Sequence, residues 1–254
     1  MSERLAHITP IRNVNDEGRG KKHALHLLIH ATEAEVLWLH DDDIIRPAAT
    51  DEQALARLGK ADLLILPLRM QTSADNLLQR LQVIEYSALQ ALTIRTAQQG
   101  RAILCSGANL IVRRDVWLHA EPHLHPELPS GDDMFLLEYC KRTGRTIAVC
   151  DDEQMTATIT AQPTLHALLR QRARWAGKAP HYIDHDIRSY GALVTIALVL
   201  QFICPLIVLL YLPWEYSLIR DKGFPLLEVL LLALIYPYYA LIVLISGILH
   251  PERW

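Results

Sequence analysis

Two apolar stretches constrain this chain more than anything else in it. They are Gly191–Pro213, containing ALVTIALVLQFICPLIVLLYL, and Pro225–Gly247, containing LLEVLLLALIYPYYALIVLIS. A hydrocarbon core takes roughly 20 apolar residues of helix, and each stretch meets that length. Soluble helices this long and this poor in charge are rare, so two membrane spans are expected. Pro205 and Pro237 interrupt the stretches, which membrane helices tolerate better than soluble ones. Glu228, near the start of the second, is expected at the interface or against the first helix. Tyr211, Trp214 and Tyr216 gather at one end of the first stretch, as an interfacial aromatic belt would.

The remainder is a different material. Residues 1–190 hold nearly all the charge, so an overall hydrophobic content of 51% averages two unlike halves. A net charge of −3 offers no basic footprint for nucleic acid. Ahead of the first stretch stand Arg170, Arg172, Arg174, Lys178 and Arg188. The connector between the stretches has only Arg220 and Lys222, offset by Glu215 and Asp221. That asymmetry puts residues 1–190 on the cytoplasmic side of an inner membrane. Met1–Gly20 is polar and lacks the apolar core of a signal peptide, so insertion is expected to follow from the later stretches. Cys105, Cys140, Cys150 and Cys204 form no close CxxC pair and read as small apolar residues.

Within the charged part, element types alternate. Helices are expected at Ala24–Thr32, Asp51–Leu58, Ala74–Gln99, Asp133–Thr143 and Pro163–Trp175. Extended pieces are expected at Glu35–His40, Asp62–Leu68, Leu110–Val112 and Thr146–Val149. Such alternation predicts an α/β sheet flanked by helices. The organisation expected is a cytoplasmic domain over 1–160, an amphipathic interfacial segment over 161–190, and spans at 191–213 and 225–247.

Three clusters carry chemistry. His40-Asp41-Asp42-Asp43 follows an apolar strand, where ligand sites of α/β sheets gather. Adjacent carboxylates repel unless a cation neutralises them, and a divalent ion shared with a diphosphate does so; the alternative is a solvated acidic turn. Ser130-Gly131-Asp132-Asp133 opens a helix, where either a cap or a general base is consistent with the residues. Gln171-Arg172-Ala173-Arg174-Trp175 is either a basic membrane-surface helix or a diphosphate clamp with an aromatic platform. His119, His123 and His125 lie in a Pro-rich context and read as loop histidines.

The ordered set resembles the family 2 glycosyltransferases, in their membrane-anchored branch with a GT-A fold. The resemblance runs through Gly20-Lys21-Lys22-His23-Ala24-Leu25, Asp41-Asp42-Asp43, Ser106-Gly107-Ala108-Asn109-Leu110, Ser130-Gly131-Asp132-Asp133 and QRARW. It implies that Asp41 and Asp43 are a DxD motif holding the donor diphosphate through Mg2+ or Mn2+. Asp133 would be the catalytic base, with Asp132 as its neighbour. Lys21 or Lys22, with Gln171 and Arg174, would bind the donor phosphates. Gly107, Ala108, Asn109 and Trp175 would line the acceptor side. The implied partners are a nucleotide-sugar donor of the UDP type, a lipid-linked or polysaccharide acceptor, and the bilayer.

One departure bears on this. Family members open with a strand resembling VSVIIPxxNE, a helix, and a second strand whose Asp contacts the nucleobase. Here MSERLAHITPIRNVNDEGRGKKHAL corresponds to the stretch after that unit, with HITPI as a remnant strand. The resemblance therefore implies a domain truncated at its N-terminus, without the base pocket: either a fragment or split-gene product, or a fold that another chain completes. Two readings stay open: an inverting sugar transferase, or a catalytically silent membrane-anchored subunit of a split enzyme.

Overall fold

A computed structural model of the chain describes residues 4–11, 20–128 and 130–249. The described residues divide into two compact units. The first is drawn from Met1–Arg69 and Thr93–Ile159, the second from Met70–Leu92 and Thr160–Arg253.

The first unit is a mixed sheet with helices on both sides. In chain order it contains β1 (Leu5–Ile8), α1 (Lys21–Ala31), β2 (Val36–His40), α2 (Asp51–Leu58) and β3 (Leu63–Ile65). Then come β4 (Leu68–Gln71), the end of the long α3 (Leu77–Gln98), whose first part belongs to the second unit, β5 (Asn109–Arg113), α4 (Arg114–Ala120), α5 (Asp132–Arg142), β6 (Ile147–Val149) and β7 (Ala157–Thr160). The five-stranded sheet has the order β1-β2-β5-β3-β6. β1 runs parallel to β2 and β6 parallel to β3, while β5 is antiparallel to both its neighbours. Every residue of β2 is buried, as expected of a strand covered on both faces.

Local sequence explains most of these boundaries. Thr50 and Gln53 form a reciprocal capping box at the start of α2, which matches the expected Asp51–Leu58. The single strand expected over Asp62–Leu68 is instead two, because Pro67 supplies no N–H to continue the ladder. One face of the sheet packs Trp38, Leu64 and Ile111 against Ala54 and Leu58 of α2. The HITPI stretch does contribute a strand: β1 lies at the sheet edge beside β2, with Leu5 opposite Val36. Residues 1–3 and 12–19 of the opening stretch lie outside the described residues.

The second unit holds the start of α3 and four further helices: α6 (Leu165–Ala176), α7 (His185–Ile203), α8 (Val208–Ile219) and α9 (Leu226–Leu249). α7 and α9 are long and apolar enough to cross a membrane. Their large side chains are widely exposed, among them Leu193, Ile196, Val199, Leu227 and Ile242.

The first stretch departs from the continuous helix expected over 191–213. α7 starts earlier, at His185, where Asp184 caps the N–H of Ile187, and it stops at Ile203. Cys204 is extended (φ −133°, ψ 95°), as the residue before a proline prefers, and Pro205 opens a short turn leading to α8. Tyr211, Trp214 and Tyr216 therefore belong to a separate helix. The Glu215 side chain lies outside what the structure describes.

Several polar groups inside this unit are paired. Glu228 accepts from Arg80 Nε of α3 at 2.9 Å. Gln201 is fully buried, donates from Nε2 to Ala233 O at 2.6 Å, and accepts from the Tyr211 hydroxyl. α6 and α9 meet backbone to backbone: a Cβ added at Gly247 would come within 2.6 Å of Ala173 O.

Candidate active site

β2 delivers the chain to Asp41-Asp42-Asp43 at the end of the sheet, and α1 starts close by. Gly20 precedes α1 with φ 93°, a conformation that L side chains rarely adopt. Lys21, in the first turn, donates from Nζ to Asp41 Oδ1. Its neighbour Lys22 turns elsewhere. Lys22 Nζ lies 3.2 Å from Asp132 Oδ1, donates to the carbonyls of Leu124 and His125, and sits 5.7 Å from the centroid of the Phe135 ring.

Asp132 and Asp133 form the first turn of α5, where their charge complements the helix dipole. Gly131, at φ 108°, is the N-cap residue and offers no side chain to the helix start. Asp133 is oriented through both carboxylate oxygens. Oδ2 accepts from Gly107 N–H at 3.0 Å, and Oδ1 accepts from Met134 N–H at 2.8 Å. Cys105 Sγ lies 3.0 Å from the Asp133 carbonyl. A Cβ added at Gly107 would stand 3.6 Å from Asp133 Cβ, an ordinary contact.

Electrostatics join these groups. Burial alone would push the Lys21 ammonium down, yet Asp41, Asp133 and Asp132 leave its pKa raised. Desolvation pushes Asp43 up, and the Asp41 and Asp42 carboxylates add to it, with Lys21 opposing. Burial also raises Asp132, against the pull of Lys22. Buried carboxylates gathered this closely form a site short of positive charge. Their hard oxygens suit Mg2+ or Mn2+, so the residues present fit such an ion.

Not all the expected acceptor-side residues face outward. Ala108 is buried, and Asn109 is fully enclosed in the sheet opposite His40. The Asn109 amide donates to Pro67 O (2.9 Å) and Met155 O (2.8 Å), and accepts from Trp38 Nε1 (2.9 Å). Its groups hold the framework together and leave no surface for an acceptor. Gly107 alone of the three is partly exposed.

Residues that the motifs did not single out complete the floor. His7 of β1 stacks against both Trp38 and His40, with ring centroids 5.1 and 5.3 Å away. Its Nδ1 lies 3.0 Å from His40 Nε2, and its Nε2 lies 2.9 Å from Asp51 Oδ1. Burial, reinforced by His7 and Arg46, pushes His40 down to about 3. The signal for His7 was its place in a short strand, which becomes legible only once β1 is paired with β2.

Gln171, Arg174 and Trp175 belong to α6 in the second unit. Within the motif it is Arg172 that is buried. It pairs with Glu85 at 2.9 Å, donates to Gln171 Oε1 at 2.7 Å, and stacks 4.1 Å from the Trp175 ring centroid. Burial opposes its charge, but Glu85 keeps its pKa raised. Arg174 is half-buried and makes no ion pair among the described residues. The i, i+3 spacing of Arg172 and Trp175 was the available clue.

The sequence model described as "Glycosyltransferase like family 2" matches residues 2–178, well over half of the chain. The chain belongs to that family. This family 2 glycosyltransferase-like domain spans all five motifs and the mixed, helix-flanked sheet that carries them, and the two long apolar helices follow it. No curated protein matches the chain. Among solved structures, one described as the crystal structure of a mycobacterial protein is 15% identical, with a TM-score of 0.33. The match covers 66% of this chain and 51% of that one, so the chain spans about half the length of that relative.

Proposed function

We propose that this chain is an inverting transferase. It would move a sugar from a UDP-type nucleotide sugar to a hydroxyl of a lipid-linked or polysaccharide acceptor, at the cytoplasmic face of the inner membrane. The observation that carries the reading is the orientation of Asp133 by Gly107 and Met134 N–H, within the same unit as Lys21, Asp41 and Asp43. An ionised carboxylate held in this way has the chemistry of a general base and would accept the proton of an acceptor hydroxyl. As that proton leaves, the acceptor oxygen forms its bond to the anomeric carbon from the side opposite the leaving group. The bond from that carbon to the phosphate oxygen breaks, and the nucleoside diphosphate departs with the electron pair. A single displacement of this kind inverts the anomeric centre.

Asp41 and Asp43 would hold Mg2+ or Mn2+, which supplies positive charge to the diphosphate when bound. Lys21 is placed to exchange its Asp41 contact for a donor phosphate oxygen. Arg174, without an ion pair among the described residues, is the guanidinium of the QRARW motif suited to clamp the diphosphate, beside Gln171. Arg172 instead holds α6 through Glu85. Gly107 and Trp175 would border the acceptor. Asp132, neutralised in part by Lys22, would support its neighbour.

The domain organisation follows: a catalytic part over 1–160, the α6 segment at the membrane surface, then the apolar helices. α7 has 19 residues, about 28 Å at 1.5 Å per residue, enough to cross a hydrocarbon core alone. α8 is then suited to the far interface and α9 to the return. The exposed apolar surfaces of α7 and α9 support this placement.

A screen of nucleotide sugars with detergent-purified chain and Mn2+, following nucleoside diphosphate release, tests the reading. Release that depends on Asp133 supports it. Failure of every donor, with the fold intact, would favour the silent-subunit alternative.

A further inference from the structure

We propose a second cation site, distinct from the aspartate cluster and built of His26, His30 and Glu121, that takes a borderline transition ion of the Zn2+ class. His26 and His30 stand four residues apart on α1, so their imidazoles share one face, with ring centroids 4.2 Å apart. Glu121, where α4 passes into a short 3-10 turn, reaches across to both. Its Oε1 lies 2.7 Å from His26 Nδ1 and its Oε2 lies 2.9 Å from His30 Nε2. The three ligand atoms all fall within 4.8 Å of one another.

That donor set has a chemical identity. Two imidazole nitrogens and one carboxylate form a three-ligand Zn2+ set, which leaves a coordination position for water. Nitrogen donors disfavour Mg2+, whereas the all-oxygen cluster at Asp41 and Asp43 favours it, so the two sites select different ions. Tetrahedral ligands around a 2.0–2.1 Å Zn–N bond stand roughly 3.3 Å apart. Modest side-chain rotation opens the present contacts to that spacing. The histidines have room for it, since the His26 and His30 side chains are 50% and 46% exposed. Solvent at the open side completes the coordination.

The position gives the site a consequence. A cation there ties α1 to the Glu121–His123 turn. The next two residues, Leu124 and His125, supply the carbonyls that hold Lys22, and Lys22 sits on the first turn of the same helix. Occupancy therefore braces the Lys22–Asp132 pair from its far end without touching the aspartates.

The test uses the full chain in detergent, free of any affinity tag, stripped of metal and titrated with Zn2+ alone by calorimetry. The wild type should bind one Zn2+ that the His26→Gln/His30→Gln variant binds about 100-fold more weakly. Mg2+ should not compete. Equal Zn2+ stoichiometry and affinity in wild type and variant, with unchanged circular dichroism, would overturn the proposal. Should the double variant misfold, X-ray absorption on the zinc-loaded wild type decides instead. Two imidazoles in the coordination shell support the site, and an all-oxygen shell removes it. Neither readout depends on sugar transfer, so this site and the catalytic reading fail separately.

Discussion

Gln201 of α7 repairs a defect made by Pro237 of α9. Proline has no N–H, so Pro237 leaves the carbonyl four residues earlier, Ala233 O, without its helical donor. The Gln201 amide supplies that donor at 2.6 Å, from a position buried to 1% exposure. Replacing Gln201 with Leu should cost about 1–2 kcal/mol in detergent, and Pro237→Ala in the same background should recover most of it. Thermal unfolding of the four proteins in the double-mutant cycle checks this. Additive costs would show that the two residues are not coupled.

Asp133→Asn keeps an oxygen for one backbone N–H but removes the base. Transfer should fall by about 10²–10⁴-fold in kcat, while donor affinity stays within about threefold. Initial rates set beside calorimetric donor binding measure both. Unchanged turnover would take the base role away from Asp133.

Lys21 donates to Asp41, so a divalent cation bound there as proposed would have to compete with it. Chelation should abolish transfer, and Mn2+ or Mg2+ should restore it. Lys21→Met should bind Mn2+ several-fold more tightly in the absence of donor, because a cationic rival is gone. The same variant should bind donor more weakly, having lost a phosphate contact. Mn2+ titration by electron paramagnetic resonance separates the two effects.

His40 ties stability to pH. Burial holds it neutral in the folded chain, down to about pH 3, whereas unfolding exposes it to its ordinary value near 6.5. Between those limits the unfolded state takes up the extra proton, so stability falls as pH falls. The slope from this residue is about 1.4 kcal/mol per pH unit. Unfolding midpoints between pH 7.5 and 5 should decline less in His40→Gln than in the wild type.

Arg172 and Arg174 sit two residues apart in one motif and should respond oppositely. Glu85→Ala strands the buried Arg172 charge and should cost about 3–5 kcal/mol of stability. Arg174→Ala should leave the unfolding midpoint nearly unchanged while lowering kcat/KM by at least about tenfold. Thermal unfolding and steady-state rates on both variants provide the comparison.

Local chemistry made some of this readable in the residues alone. The helix formers of Asp51–Leu58 and the apolar run ending at His40 placed α2 and β2 to within a residue. The grouping of Lys21 and Asp41, and of Lys22 and Asp132, was implied only through a family likeness, because nothing in their spacing brings residues 20 and 110 apart together. Asn109 misled for a related reason: a polar residue beside Gly107 reads as a loop group until the sheet register sets it opposite His40. Pro205 was legible as an interruption, but that it ends α7 was not, because hydropathy is blind to backbone direction and Ile203 and Leu206 are both strongly apolar on either side.

The glycine contact between α6 and α9 also fixes an order of events during synthesis. Gly177 leaves the ribosome roughly 70 residues ahead of Gly247, an interval of about 4–14 s at 5–20 residues per second. Throughout that interval the helix bearing Arg174 and Trp175 has no α9 to rest on. The QRARW helix thus waits for the last apolar helix, and a nascent chain released early would carry Asp41, Asp43 and Asp133 with α6 held by Glu85 of α3 but without its α9 contact.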